Sequence, residues 1–192
     1  IILTTAFVIF LPFDSTARDN VDDLSRKINA ETSLRVVSEV ANLLESAERA
    51  QESIYQLFVA SPKMMSNAAQ REQVFFSILK ANPSFSWLSL GLSDGNFFGV
   101  QRADPVNFRV VHSRHSKRKF DLRNTQKFLF VDGEYIPLGQ KLTKKKYDAR
   151  KRPWYKRASA EPGAIVWTDL YVFSTSGKPG LNTAKALPRT AS

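Results

Sequence analysis

The stretch S86-W-L-S-L-G-L-S-D-G-N-F-F-G-V-Q-R102 decides the fold. Leu88, Leu90 and Leu92 alternate with small or polar residues, the period of a half-buried strand. Ser93-Asp94-Gly95 is a turn, and NFFGVQR returns as the next strand. Phe108 to His112 reads as a third short strand. KFLFVDGEYI predicts a second hairpin around Asp132-Gly133, because Asp-Gly suits the positive backbone angles of a tight turn. AIVWTDLYVFS reads as one strand, TSGK as a turn, and GLNTAKAL as the start of a last strand. Tight turns between neighbours make the sheet antiparallel, with helices on one side, an α+β arrangement.

Upstream the period is helical. Asp14 to Ala60 contains neither Gly nor Pro. Val21, Leu24, Ile28, Leu34, Val37, Ala41, Leu44 and Ala47, then Ile54, Leu57 and Phe58, recur in steps that form one apolar stripe. A continuous helix of this span reaches about 70 Å, which suits a stalk. Pro62 stops it. Asn67 to Ala81 predicts a shorter helix, closed by Pro83. Pro153 starts another, since Pro is favoured at the first helical position. The sequence begins with Ile1 rather than Met, and its first thirteen residues, IILTTAFVIFLPF, carry no charge. They are expected to be the end of a truncated transmembrane helix, a full span needing about 20 residues. The expected organisation is 1–13 membrane segment, 14–60 stalk helix, 61–185 compact lobe and 186–192 a disordered end.

The chain has 192 residues, no Cys, fourteen Phe and a net charge of +10. Disulfides and thiolate metal sites are excluded. Eight basic residues fall between Lys144 and Arg157, and four more between Arg114 and Lys119. Such clustering favours acidic partners: nucleic acid, anionic lipid or a small acid. No phosphate-binding glycine loop and no nucleophile elbow is present. His112 and His115 lack a third ligand for zinc and read as two exposed polar side chains. No catalytic residue, metal or cofactor is therefore expected. Asp94 and Asp132 read as turn residues.

Y147-D-A-R-K-R-P-W-Y-K-R-A158 carries the chemistry. Arg152 offers a planar fork of donors for a carboxylate or phosphate. Trp154, Tyr155 and Tyr147, with Tyr171 further on, offer apolar faces with polar tips. Together they compose a small-molecule cage: one cation and an aromatic wall. A basic helix with two aromatics packed in a core fits the same letters.

The phrase, followed by VWTDLY, the TSGK turn and GLNTAK, resembles the double Cache (dCache) family, extracytoplasmic ligand-binding domains of bacterial transmembrane receptors. That family's phrase runs Asp-Pro-Arg-x-Arg-Pro-Trp-Tyr. Here Asp148, Arg150, Arg152, Pro153, Trp154 and Tyr155 stand in those places, and Ala149 replaces the Pro. The hairpin LGLSDGNFFGVQR is similar to the family's early strands. The resemblance implies a PAS-like sheet, a bacterial inner-membrane location with the sensor in the periplasm or outside the cell, and a ligand pocket lined by Tyr147, Arg152, Trp154, Tyr155 and Tyr171. Family members that bind amino acids add an Asp where this chain has Phe173, which points to a carboxylate ligand without an amine. The family's membrane-proximal lobe is not in this sequence. SLRVVSEVANLLESAERAQESI is similar, more faintly, to sensors attached to adenylate/guanylate cyclases.

The expected function is thus a sensor domain fragment, not itself an enzyme, that binds a small anion for transmembrane signalling. Its expected partners are that ligand, the membrane through the N-terminal segment, and a second copy through the stalk, with no nucleic acid. A basic nucleic-acid-binding domain and a ligand-free structural domain tethered to a membrane are the alternatives.

Overall fold

The computed structural model describes residues 2–116, 121–144, 146–173, 177 and 179–188, with side chains from residue 21 onward except at position 65. The chain divides into two units, Ile1–Glu45 and Ser46–Ser192. Helix α1 is Ile2–Ala60. In the first unit Val21, Leu24, Ile28, Leu34 and Val37 are each more than half exposed, so the predicted stripe is uncovered there. The expected membrane segment falls on residues whose side chains lie outside those described. Among the described residues no helix is long and apolar enough to cross a membrane.

The second unit holds everything else. Helix α2 (Pro62–Ser66) starts on its proline. Helix α3 (Ala68–Ala81) is capped by Asn67, whose side chain accepts from the Gln70 N–H. Strands β1 (Trp87–Gly91), β2 (Phe97–Arg102), β3 (Asn107–Arg114), β4 (Leu122–Val131) and β5 (Glu134–Lys144) follow. They form one antiparallel sheet in that order, each strand beside the next. A 3-10 turn (Ala149–Lys151) and helix α4 (Pro153–Ala160) come after. Two short pairs complete the fold: β6 (Ile165–Trp167) with β9 (Thr183–Lys185), and β7 (Tyr171–Val172) with β8 (Pro179–Gly180).

The predicted hairpins are present. Asp132 and Gly133 both have positive φ, 51° and 90°, as a tight hairpin turn requires. Leu88 and Leu90 share one sheet face and pack into the main core. That core joins Ile54 and Phe58 of α1, Phe75, Phe76 and Leu79 of α3, and Phe98, Val100, Phe108, Val110 and Phe128 of the sheet. Burying an aromatic side chain contributes about 2–3 kcal/mol, so this layer dominates stability.

Four expectations change. The helices are not all on one side. Phe97 is the chain neighbour of Phe98 but faces the other way, and with Val111 it buries Ala149 in a second cluster beside Trp154 and Tyr155. The 3-10 turn and α4 therefore cover the face opposite α3. AIVWTDLYVFS is not one strand. Asp169 and Leu170 stand opposite the single residue Leu181, and this bulge separates β6 from β7. Ala186 and Leu187, read as the start of a disordered end, pack against the cores. The histidines are not simply exposed. His112 Nε2 lies 3.2 Å from Glu72 Oε1, and the His115 side chain is 17% exposed between two carboxylates. The predicted TSGK turn lies outside the described residues except Gly177.

An extra residue in β5 shifts the register where Lys127 pairs with Gly139 and Phe128 with Pro137. Side chains alternate, so one extra residue swaps faces. Tyr135 is thereby turned to the core side, 4.0 Å from the Phe76 ring centre and 4.7 Å from that of Phe130.

Phe75 is 2% exposed and touches Phe58 and Phe98 rings. Phe75→Ala is expected to lose about 3–5 kcal/mol of unfolding free energy in a urea titration. A loss under about 1 kcal/mol would mean that α3 does not carry the core.

Candidate functional site

The sheet face opposite α3 forms the floor of a cavity of about 370 Å³. Trp87, Gln101 and Arg109 lie on that face in register: Trp87 pairs with Gln101, and Gln101 with Arg109. Arg123 is on the same face of β4, opposite Ser113. The roof is the segment from Tyr147 to Trp154, and the side wall comes from Tyr171, Phe173, Pro179 and Asn182.

Of the five residues singled out in the sequence, Tyr147, Arg152, Trp154 and Tyr171 line this cavity together. Tyr155 does not. It packs with Ala149 and Phe97 in the second cluster, and its ring meets that of Trp154 at 5.8 Å, edge-on. Consecutive helical residues point about 100° apart, so Trp154 and Tyr155 cannot both face one cavity. Gly91 lets this roof sit close: a Cβ there would lie 2.6 Å from Trp154 Cη2 and 2.9 Å from Tyr155 Cδ2.

The roof is anchored by carboxylates. Asp121 is 1% exposed. Its oxygens accept from the N–H groups of Tyr147 (2.6 Å) and Ser116 (2.7 Å), and His115 Nδ1 lies 3.3 Å away. Burial alone would raise its pKa, but these donors outweigh burial and hold it below the usual carboxylate range. Asp148 takes Arg150 as a two-pronged partner, Nε and Nη2 each at 2.9 Å. That pairing is the main reason its pKa falls to about 2. The Ala149 N–H then donates to Gly95 O at 3.2 Å, tying the roof to the first turn.

The basic run therefore divides by position. Arg150 pairs with Asp148, and Arg157 sits 3.8 Å from Asp169. Lys146, Lys151 and Lys156 are exposed. Among the described residues of this run, Arg152 alone lines the cavity. Its guanidinium lies 5.9 Å from the Tyr147 ring centre and 6.0 Å from that of Tyr171. Burial pushes the Tyr147 phenol up to about 12, against the pull of Arg152 and Arg123. Burial likewise raises Tyr171, with Arg152 opposing it. Both hydroxyls are thus neutral donors and acceptors at ordinary pH. Tyr171 Oη already accepts from Asn182 Nδ2 at 2.9 Å.

Arg123 was not foreseen. It is 7% exposed, donates through Nε to Ser113 Oγ at 2.9 Å, and lies 4.7 Å from the Tyr147 ring centre. Burial lowers its pKa, and the neighbouring Arg152 adds to this while Tyr147 opposes. Arg102 and Arg109 also line the cavity. Four arginines thus line it, although the Arg102 guanidinium itself turns to the Leu79 carbonyl and the Phe108 ring on the α3 side, and among the described residues no Asp or Glu lines it. Phe173, the residue in place of an ammonium-binding Asp, is on the wall. The signal for Trp87, Gln101 and Arg109 was parity within the first three recognised strands. Arg123 sits in LRNTQ, a polar run with no apolar alternation to mark it as strand.

No family model, no curated protein and no solved structure matches the chain.

Because Asp148 is depressed from 3.8 to about 2, its stabilising contribution is present above pH 4 and is lost as pH falls from about 4 to about 2. Asp148→Asn is expected to lower the melting temperature at pH 7 and to flatten the acid limb of the stability curve over that window. An unchanged acid limb would remove Asp148 as the anchor. Gly91→Ala is expected to cost about 1–3 kcal/mol by pushing Trp154 off the floor, read as a lower denaturation midpoint with blue- or red-shifted tryptophan emission.

Proposed function

We propose that the chain is an extracytoplasmic sensor lobe of the Cache type that binds a small carboxylate-bearing molecule in the cavity under Arg152 and Trp154. The observation that carries this reading is the charge of the wall: Arg109, Arg123 and Arg152 line a cavity of about 370 Å³, and no described carboxylate does. Charged groups facing a partly enclosed space without counter-charge are costly unless an anion supplies it. A ligand-free structural domain would more simply pair Arg152 with an internal carboxylate. The neighbouring Asp148 is taken by Arg150 instead. The order of a long helix followed by an antiparallel sheet agrees with the resemblance drawn from the sequence, as does a roof built on Arg-Pro-Trp-Tyr.

Signalling in this reading works by population shift. Tyr171 and Asn182 on the cavity wall flank the β6–β9 pair, which grips the end of α1. Trp167 Nε1 donates to Glu48 Oε1 at 2.7 Å, and Lys185 Nζ meets Glu52 Oε2 at 2.6 Å. A ligand that draws the side wall toward Arg152 favours one setting of β9 against α1. Membrane attachment through the N-terminal segment and pairing of two copies along the uncovered α1 stripe complete the proposal.

Exposed Lys146, Lys151 and Lys156 favour a second reading, a nucleic-acid surface, whose affinity would fall steeply with salt. Thermal unfolding against small carboxylates, amino acids and a short DNA at two salt concentrations separates them. A carboxylate at a hundredfold excess over its Kd is expected to add about 2.7 kcal/mol, several degrees in Tm, and Arg152→Ala is expected to abolish the shift. Stabilisation by DNA alone, lost at high salt, would sink the sensor reading.

A further inference from the structure

The four cavity arginines are not equivalent. Arg102 is engaged: an Nη2 hydrogen goes to the Leu79 carbonyl, and its guanidinium lies 4.9 Å from the Phe108 ring centre. Arg109 is near enough to Asp104 to help hold that carboxyl below its usual range. The Arg123 and Arg152 side chains have neither a described backbone carbonyl nor a described carboxylate as partner. The only described hydrogen bond of the Arg123 side chain is from Nε to neutral Ser113 Oγ, which leaves both terminal nitrogens to donate elsewhere. The Arg152 guanidinium has ring contacts and no described carboxylate partner. Both cations approach one ring, Tyr147, from different elements. Arg123 rises from β4, and Arg152 descends from the joint between the 3-10 turn and α4.

Two like charges without a described carboxylate partner, beside the same Tyr147 ring, repel each other. A singly charged ligand neutralises one and leaves the other desolvated. Each guanidinium is a planar fork matched to a planar carboxylate. Forks carried by two separate elements suit two separate carboxylates better than one compact anion. The rings of Trp87, Tyr147 and Trp154 then supply contact area for the carbon chain between them.

We propose that the cavity takes a small dicarboxylate, one carboxylate on Arg123 and the other on Arg152. This rests on the anion-pocket reading above and narrows it to a doubly charged acid without an amine.

The test is isothermal titration of the full chain with malonate, succinate, glutarate and adipate. Each is paired with its half-amide, which keeps the shape and removes one charge. Inorganic phosphate is the compact-dianion control. The best-fitting diacid is expected to bind about 10- to 100-fold tighter than its half-amide, the worth of a hydrogen-bonded charge. Arg123→Gln and Arg152→Gln, checked for folding by circular dichroism, are each expected to reduce that ratio to about threefold or less. Equal affinity for every diacid and its half-amide overturns the proposal and leaves the single-anion pocket standing. Phosphate binding more tightly than every diacid overturns it in the same way. Binding by no anion at all removes both the proposal and the reading beneath it.

Discussion

The buried Asp121 carboxylate determines where the cavity roof begins. It receives the N–H of Tyr147 from one side and that of Ser116 from the other, so two chain segments meet on one residue. From Tyr147 the chain has only the 3-10 turn before Pro153 starts α4, and there Ala149 sits fully buried against Phe97 and Val111. With both ends of this short path fixed, Arg152 and Trp154 have little freedom in where they arrive. An exposed loop carrying the same Arg and Trp would lose conformational entropy on gripping a ligand; this one has lost much of it on folding.

The sheet contributes the other half of the arrangement through parity. Phe98, Val100, Phe108 and Val110 turn to α1 and α3, and their neighbours Phe97, Gln101, Arg109 and Val111 turn away from them. One strand set therefore builds a dry core on one side and a polar floor on the other. Stability and recognition are assigned to alternate residues, so a change at Arg109 or Gln101 need not disturb the phenylalanine layer.

Much of this was legible where one physical signal dominates. The alternation of Leu88 and Leu90, the Asp-Gly turn at 132–133 and the proline at 153 each have one favoured local structure, and each is found there. The four cavity residues around Arg-Pro-Trp-Tyr were found by chemistry and adjacency, and adjacency misplaced Tyr155, because helical rotation sends it into the second cluster. Arg123 and Asp121 were beyond reach for a different reason. Their roles come from residues distant in sequence, Ser113, Tyr147 and Ser116, and LRNTQ has no apolar rhythm to betray a strand held by its neighbours on both sides. The break between β6 and β7 was hidden similarly, since Asp169 alone, poor in strands as Asp is, stands within a run otherwise rich in β-branched and aromatic residues.

The irregular register of β5 has a consequence beyond the placing of Tyr135. β5 ends the sheet, and its outer backbone groups invite another strand to add on. Leu138 and Leu142 on it are more than half exposed, which sharpens the hazard. Yet Pro137 withholds an N–H at the irregularity, the extra residue kinks the row of donors and acceptors, and Lys141 places a charge beside it. An incoming strand would find no straight template to copy. The same one-residue irregularity that seats an aromatic in the core thereby blunts the open border of the sheet against edge-to-edge association.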